Sequence, residues 1–224
     1  MITRSIAAVA ALAGISVVYV VASVLSPALL LFPYERRVGA TVVYSETPIP
    51  DGIDTVIGRS ADRLRTSELF KPGVLGGRIF ITQGGWRWRL LSFDTPTAFA
   101  QTRPFGDNVV VNRADIALDR VWTGAPIAGE RALSDVIAHE RTHILIRMQF
   151  GLLADRTFPT WLREGYCDYV ANSSSLSDQQ ASKLVSEGRR IPALFYYQSR
   201  KRVERALLDN GGSARRLFQS PPAP

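Results

Sequence analysis

Asp135-Val136-Ile137-Ala138-His139-Glu140-Arg141-Thr142-His143-Ile144-Leu145-Ile146-Arg147-Met148-Gln149-Phe150 (DVIAHERTHILIRMQF) is the strongest helical stretch in the chain. Gly151 follows it at the position where a helix commonly ends on a glycine. The stretch holds both histidines of the 224-residue sequence, four residues apart. Residues i and i+4 leave a helix on the same face, so both imidazoles reach a single ion. His139-Glu140-Arg141-Thr142-His143 has the H-E-x-x-H pattern, in which the two histidines ligate zinc and the glutamate acts as general base. Glu140 sits about 100° around the axis from His139, beside the ligand face but not on it. Arg141 is a charge inside the motif, expected to point to solvent or to pair with an acid.

A catalytic zinc ion takes three protein ligands and keeps a position for water. No third histidine exists, so the third ligand is a carboxylate or the lone cysteine, Cys167. A single cysteine also excludes an intrachain disulfide. Downstream lies Pro159-Thr160-Trp161-Leu162-Arg163-Glu164-Gly165, where a further helix is expected to start near Thr160. Glu164 on its own reads as a surface carboxylate, but Trp161, Leu162 and Gly165 mark a packed segment of close approach.

HERTH together with W-L-x-E-G resembles the gluzincin peptidases, the thermolysin and aminopeptidase clan, and most of all the short bacterial peptidase MA-like proteins. The motif-bearing part runs from about Ser134 to Phe218. The resemblance implies that Glu164 is the third zinc ligand and Glu140 the base. It also implies that Asp168 receives the other N–H of a ligating histidine, as carboxylates often do at such sites. A helix-surface salt bridge is the competing reading of Asp168, and Cys167 reads as buried core. Phe195-Tyr196-Tyr197-Gln198-Ser199 resembles the segment that carries the transition-state tyrosine of the aminopeptidase branch, which puts Tyr196 in that role, with Tyr197 as the alternative one residue on. By analogy with the clan, Asn108–Asn112 is expected to be an exposed edge strand that binds extended peptide.

Upstream, Thr41–Ser45 (TVVYS), Arg78–Thr82 (RIFIT) and Asn108–Asn112 (NVVVN) read as strands. Ile53, Val56, Ile57, Ala61 and Leu64 recur at helical spacing, whereas Trp86–Phe93 is ambiguous. Gln179–Glu187 and Ser199–Leu208 read as later helices. Strands before helices predict an α+β fold, a small mixed sheet packed on a helical layer that carries the H-E-x-x-H helix. Residues 5–33 (SIAAVAALAGISVVYVVASVLSPALLLFP) carry no charge, which predicts one N-terminal transmembrane helix. The expected organisation is an anchor over 1–37, a zincin-like domain over 38–218 and a disordered tail over 219–224. The expected location is the inner (cytoplasmic) membrane, single-pass, with the catalytic domain periplasmic or extracytoplasmic.

Net charge is +7, almost all of it from scattered arginines, with no basic and aromatic stripe of the kind that binds nucleic acid. The function expected is zinc-dependent hydrolysis of a peptide or protein substrate at the membrane. Two other readings stand beside it: a catalytically silent membrane-anchored binding module that keeps the zinc site, and a zinc amidase acting on a non-peptide substrate. Oligomeric state is left open.

Overall fold

In the computed structural model, residues 14, 18–24, 26–103 and 106–221 are described. Five strands, β1 (Tyr34–Val38), β2 (Thr41–Ser45), β3 (Arg78–Ile81), β4 (Ala100–Thr102) and β5 (Asn108–Val111), form one sheet in the order β1-β2-β3-β5-β4. The central β2, β3 and β5 are parallel, and β1 and β4 run antiparallel at the two edges. Helix α1 (Gly52–Arg65) carries the chain from β2 to β3, and α2 (Trp86–Leu91) follows β3. A second antiparallel sheet of β6 (Arg113–Asp115), β7 (Arg120–Trp122) and β8 (Glu130–Ala132) feeds directly into α3 (Leu133–Phe150). The remainder is helical: α4 (Ala154–Thr157), α5 (Thr160–Val170), α6 (Asp178–Ser186), α7 (Pro192–Asp209) and α8 (Ala214–Gln219).

Alternation along the strands divides the core. Val43, Ile79, Ile81, Val109 and Val111 pack with Ile53, Val56, Ile57 and Leu64 of α1 and with Val136 and Ile137 of α3. The intervening Phe80 and Val110 face the other way, toward Trp88 and Leu91 of α2 and toward Leu30. Tyr44 stacks on Phe80 at 4.9 Å on that second side. A sheet covered on both faces explains why RIFI and NVVV read as continuous apolar runs rather than as alternating ones. Each large aliphatic side chain buried in this way contributes about 1.5–3 kcal/mol. α3 is the innermost helix, with every residue from Leu133 to Arg147 buried.

Two expectations need correction. The fold is mixed α/β, not strands followed by helices. Residues 53–64 are helical as expected, but that helix is a crossover between parallel strands, which interleaves the two element types. The single transmembrane helix is also not found: among the described residues, no helix is long and apolar enough to cross a membrane. Residues 18–24 are helical, after which Pro27–Leu30 form a 3-10 turn and Leu31 takes a left-handed φ of 50°. The Tyr19 hydroxyl donates to the Leu29 carbonyl at 2.7 Å. Ten residues of straight helix would separate those positions by about 15 Å along the axis. The chain therefore folds back, and Leu30 ends buried against Phe80 and Trp88. Arg87 donates to the Leu30 and Leu31 carbonyls freed by the turn. The first part of the expected span, residues 5–13 with 15–17 and 25, lies outside the described residues, as does the end of the expected tail, 222–224.

Candidate metal centre

α3 presents His139 and His143 on one face, and α5 crosses it with Glu164. Glu164 Oε2 stands 3.3 Å from His139 Nε2 and 3.6 Å from His143 Nε2. Tetrahedral zinc with bonds of 2.0–2.1 Å sets neighbouring donor atoms about 3.3 Å apart. Each imidazole nitrogen therefore stands at about that spacing from the carboxylate oxygen. Their electrostatics agree. Burial pushes the His139 imidazole toward the neutral form, but the Asp168 carboxylate outweighs it and raises the pKa to about 10. Burial acts in the same direction on His143 and is outweighed by Cys167, Glu164 and Asp155, so its pKa is well above the usual value. Burial would raise the Glu164 pKa, yet the two histidines hold it well below the ordinary carboxylate range. The pocket favours positive charge between these rings, whether carried by protons or by a cation.

Cys167 offers a different third donor, since His139, His143 and Cys167 bring ligand atoms within 4.8 Å of one another. The geometry favours Glu164. Its carboxylate lines the cavity with both histidines, whereas Cys167 is fully buried and is absent from that lining. Burial also pushes the Cys167 thiol pKa up, toward the protonated form that does not ligate.

Behind the histidines stands a layer of carboxylates. His139 Nδ1 and Asp168 Oδ1 are 2.8 Å apart, and Arg131 Nη2 donates to the same oxygen at 2.9 Å. Asp168 is thus placed where the resemblance implied. On the other ring, His143 Nδ1 lies 3.3 Å from Asp155 Oδ1. That approach is too poorly aligned for a hydrogen bond, since Oδ1 is buried with no hydrogen-bond partner. Arg147 donates to the other Asp155 oxygen at 2.8 Å. Sequence reading missed Asp155; the only signal for it is an acid on the short helix linking the two motif helices.

Glu140 lines the same cavity and is held by Thr102. Its Oε2 is 2.7 Å from Thr102 Oγ1, and its backbone carbonyl is 2.8 Å from the same hydroxyl. Thr102 ends β4, and this exposes a second error about strands. Asn108–Val111 is not an edge: β5 lies between β3 and β4, and the edge strand beside α3 is β4. Three residues reading Ala-Gln-Thr carry too little β pattern to mark a strand in sequence.

Arg141 does not reach solvent, and among the described residues it pairs with no acid. It is buried and donates through Nη2 to the Thr41 hydroxyl and to the Gly76 carbonyl at 3.1 Å. Burial lowers its pKa to about 10. It ties the centre of α3 to β2 and to the loop before β3.

α5 and α7 pack closely because position 165 is glycine. A Cβ there would stand 2.4 Å from the Ser199 carbonyl oxygen. That contact brings the first turns of α7 to the candidate ligands, and Tyr196 lines the cavity with His139, Glu140, His143 and Glu164. Burial, then the charges of Glu164, Asp168 and Glu140, raises the Tyr196 phenol to about 12. Tyr197 faces elsewhere and donates to Asp178 Oδ1 at 2.9 Å. The cavity has a volume of about 730 Å³. Its walls are β4 and the residues before it, the β7–β8 loop around Ile127, and the start of α7. No protein-family model, curated protein or solved structure matches the chain.

Proposed function

We propose that this protein is a zinc-dependent peptidase in which Glu140 activates the attacking water. The observation that carries the reading is the approach of Glu164 Oε2 to both His139 Nε2 and His143 Nε2 inside a cavity that Glu140 and Tyr196 also line. Zinc, when bound by these three residues, supplies Lewis acidity toward a water and a carbonyl oxygen. The chain's own groups do the rest. Glu140, its carboxylate fixed by the Thr102 hydroxyl, accepts the water proton and returns it to the departing nitrogen. Tyr196, with a pKa of about 12, stays protonated at neutral pH and donates to the oxygen that gains charge. Asp168 fixes which nitrogen of His139 faces the ion. β4, the edge strand of the sheet among the described residues, offers main-chain groups to an extended substrate.

Turnover of an unbiased peptide library by the zinc-loaded protein, against Glu140→Gln, tests this. The variant is expected to keep its zinc and lose hydrolysis. Tyr196→Phe should reduce turnover by roughly a hundred- to a thousandfold, with Tyr197→Phe near wild type. Full activity in Glu140→Gln would exclude the mechanism.

A further inference from the structure

Four arginines line the cavity: Arg131, Arg147, Arg163 and Arg189. Three are engaged by the metal centre's own carboxylates. Arg131 holds Asp168 at 2.9 Å and Arg147 holds Asp155 at 2.8 Å. Arg163 lies 3.6 Å from Glu164 and donates to the Phe158 carbonyl and the Thr160 hydroxyl. Arg189 differs. Among the described residues its side chain forms no hydrogen bond and no ion pair, and it is exposed.

The backbone that carries Arg189 is fixed. Just past the end of α6, Gly188 takes φ 65°, and the Arg189 N–H donates to the Leu184 carbonyl at 3.0 Å. Two residues later Ile191 packs with Leu184, Leu194 and Ile127, and Pro192 opens α7. The surrounding cavity wall is apolar, built from Ile127, Ala128, Ile191, Pro192 and Ala193. A guanidinium with no partner on such a wall does nothing for the fold, yet it can meet a planar anion through two parallel N–H bonds. Arg190, next in sequence and equally exposed, does not line the cavity.

We propose that Arg189 binds a substrate carboxylate, and that the protein acts on peptides presenting an apolar residue together with a free carboxylate, from the C-terminus or from an acidic side chain. This rests on the peptidase reading for the nature of the ligand. A hydrogen-bonded charge pair of this kind is worth about ten- to a hundredfold in affinity.

The test is calorimetric titration of the full-length, zinc-loaded Glu140→Gln protein, in which binding is read without turnover. One pair of leucine-containing pentapeptides differs only in ending as free acid or amide. A second, amidated pair differs only as Glu or Gln. The expected result is that one acid member binds at least tenfold tighter than its neutral match. That preference should vanish when Arg189→Ala is added, survive in part with Arg189→Lys, and be untouched by Arg190→Ala. The pair that responds identifies the source of the carboxylate. Equal binding of acid and neutral members, no binding of any of the four peptides, or a preference that outlasts Arg189→Ala overturns the subsite. Wild-type turnover measured in parallel separates the two ideas. Carboxylate-dependent binding without hydrolysis removes the peptidase and leaves the subsite, whereas hydrolysis without the preference removes the subsite alone.

Discussion

At the scale of single residues, each of the two histidines faces an acid that is itself held by arginine. His139 leans on Asp168 and Arg131, and His143 faces Asp155, which Arg147 and Arg163 bracket. Burial would raise the Asp155 pKa, but His143 and Arg147 bring it down to about 2, so the group stays anionic across the working range. An anion there favours the His143 tautomer that keeps Nε2 free for a metal. Asp155→Ala is therefore expected to weaken zinc affinity by about ten- to a hundredfold, as measured by competition with a chromophoric chelator. Asp155→Asn keeps the shape but removes the charge and should lose a comparable amount. A much smaller loss in Asp155→Asn would show that orientation, not charge, is what Asp155 supplies. Arg141 illustrates a residue the sequence misplaced. A charge inside H-E-x-x-H suggested solvent or an acid, but α3 is wrapped on all sides, and backbone carbonyls were the partners within reach.

At the scale of elements, the contact between α5 and α7 sets the site. Gly165 lies in the packed segment that sequence alone marked as one of close approach, and the structure gives the reason, the Ser199 carbonyl against its Cα. Gly165→Ala must push the helices apart, because the obstructing atom is backbone and cannot rotate away. Overpacking of this kind costs about 1–3 kcal/mol, readable as a lowered urea midpoint. It should also move Tyr196 relative to α3, so kcat falls while zinc affinity, which depends on α3 and Glu164, changes less. An unchanged midpoint would mean that the two helices are not packed as closely as described. Strong patterns were legible here: the residues buried on α1 include the five apolar positions read from its spacing, and β2, β3 and β5 follow runs that read as strands. Elements of three residues were not. β4, β6, β7 and β8 are too short for alternation to register, and β4 turned out to be the edge beside the site. The α7 start was also placed too late, because Pro192 reads as a breaker unless it is recognised as a first-turn residue.

At the scale of the whole molecule, the proposed zinc reading implies that metal and proton compete for one centre, and that competition should govern stability. The two histidines were legible as a candidate ligand pair because helical spacing brings them to one face, whereas Glu164 came only from the resemblance. The encircling carboxylates come from α4 and α5, and Asp155 had no periodicity to announce it. Those carboxylates keep His139 protonated up to a pKa of about 10 when no metal is bound. The ordinary value in an unfolded chain is about 6.5. A folded-state pKa raised in this way stabilises the metal-free fold fully below the unfolded value, and the stabilisation is lost as pH rises toward 10. Zinc needs the neutral ring, so its binding displaces the proton and tightens over the same interval, by up to about tenfold per pH unit for each proton released. Both effects have the same sign. The gain in melting temperature on adding zinc to the chelated protein should therefore grow steadily from pH 6 to pH 9. At a free zinc concentration a hundred times the dissociation constant, the stabilisation is about 2.7 kcal/mol. For a domain of this size that is a shift of roughly 5–10 °C. Scans at matched free zinc, buffered separately at each pH, measure it. A gain that shrinks with rising pH would mean that the protons held between His139 and Asp168 are not the ones zinc must displace, and a zinc-independent melting temperature would remove the metal centre itself.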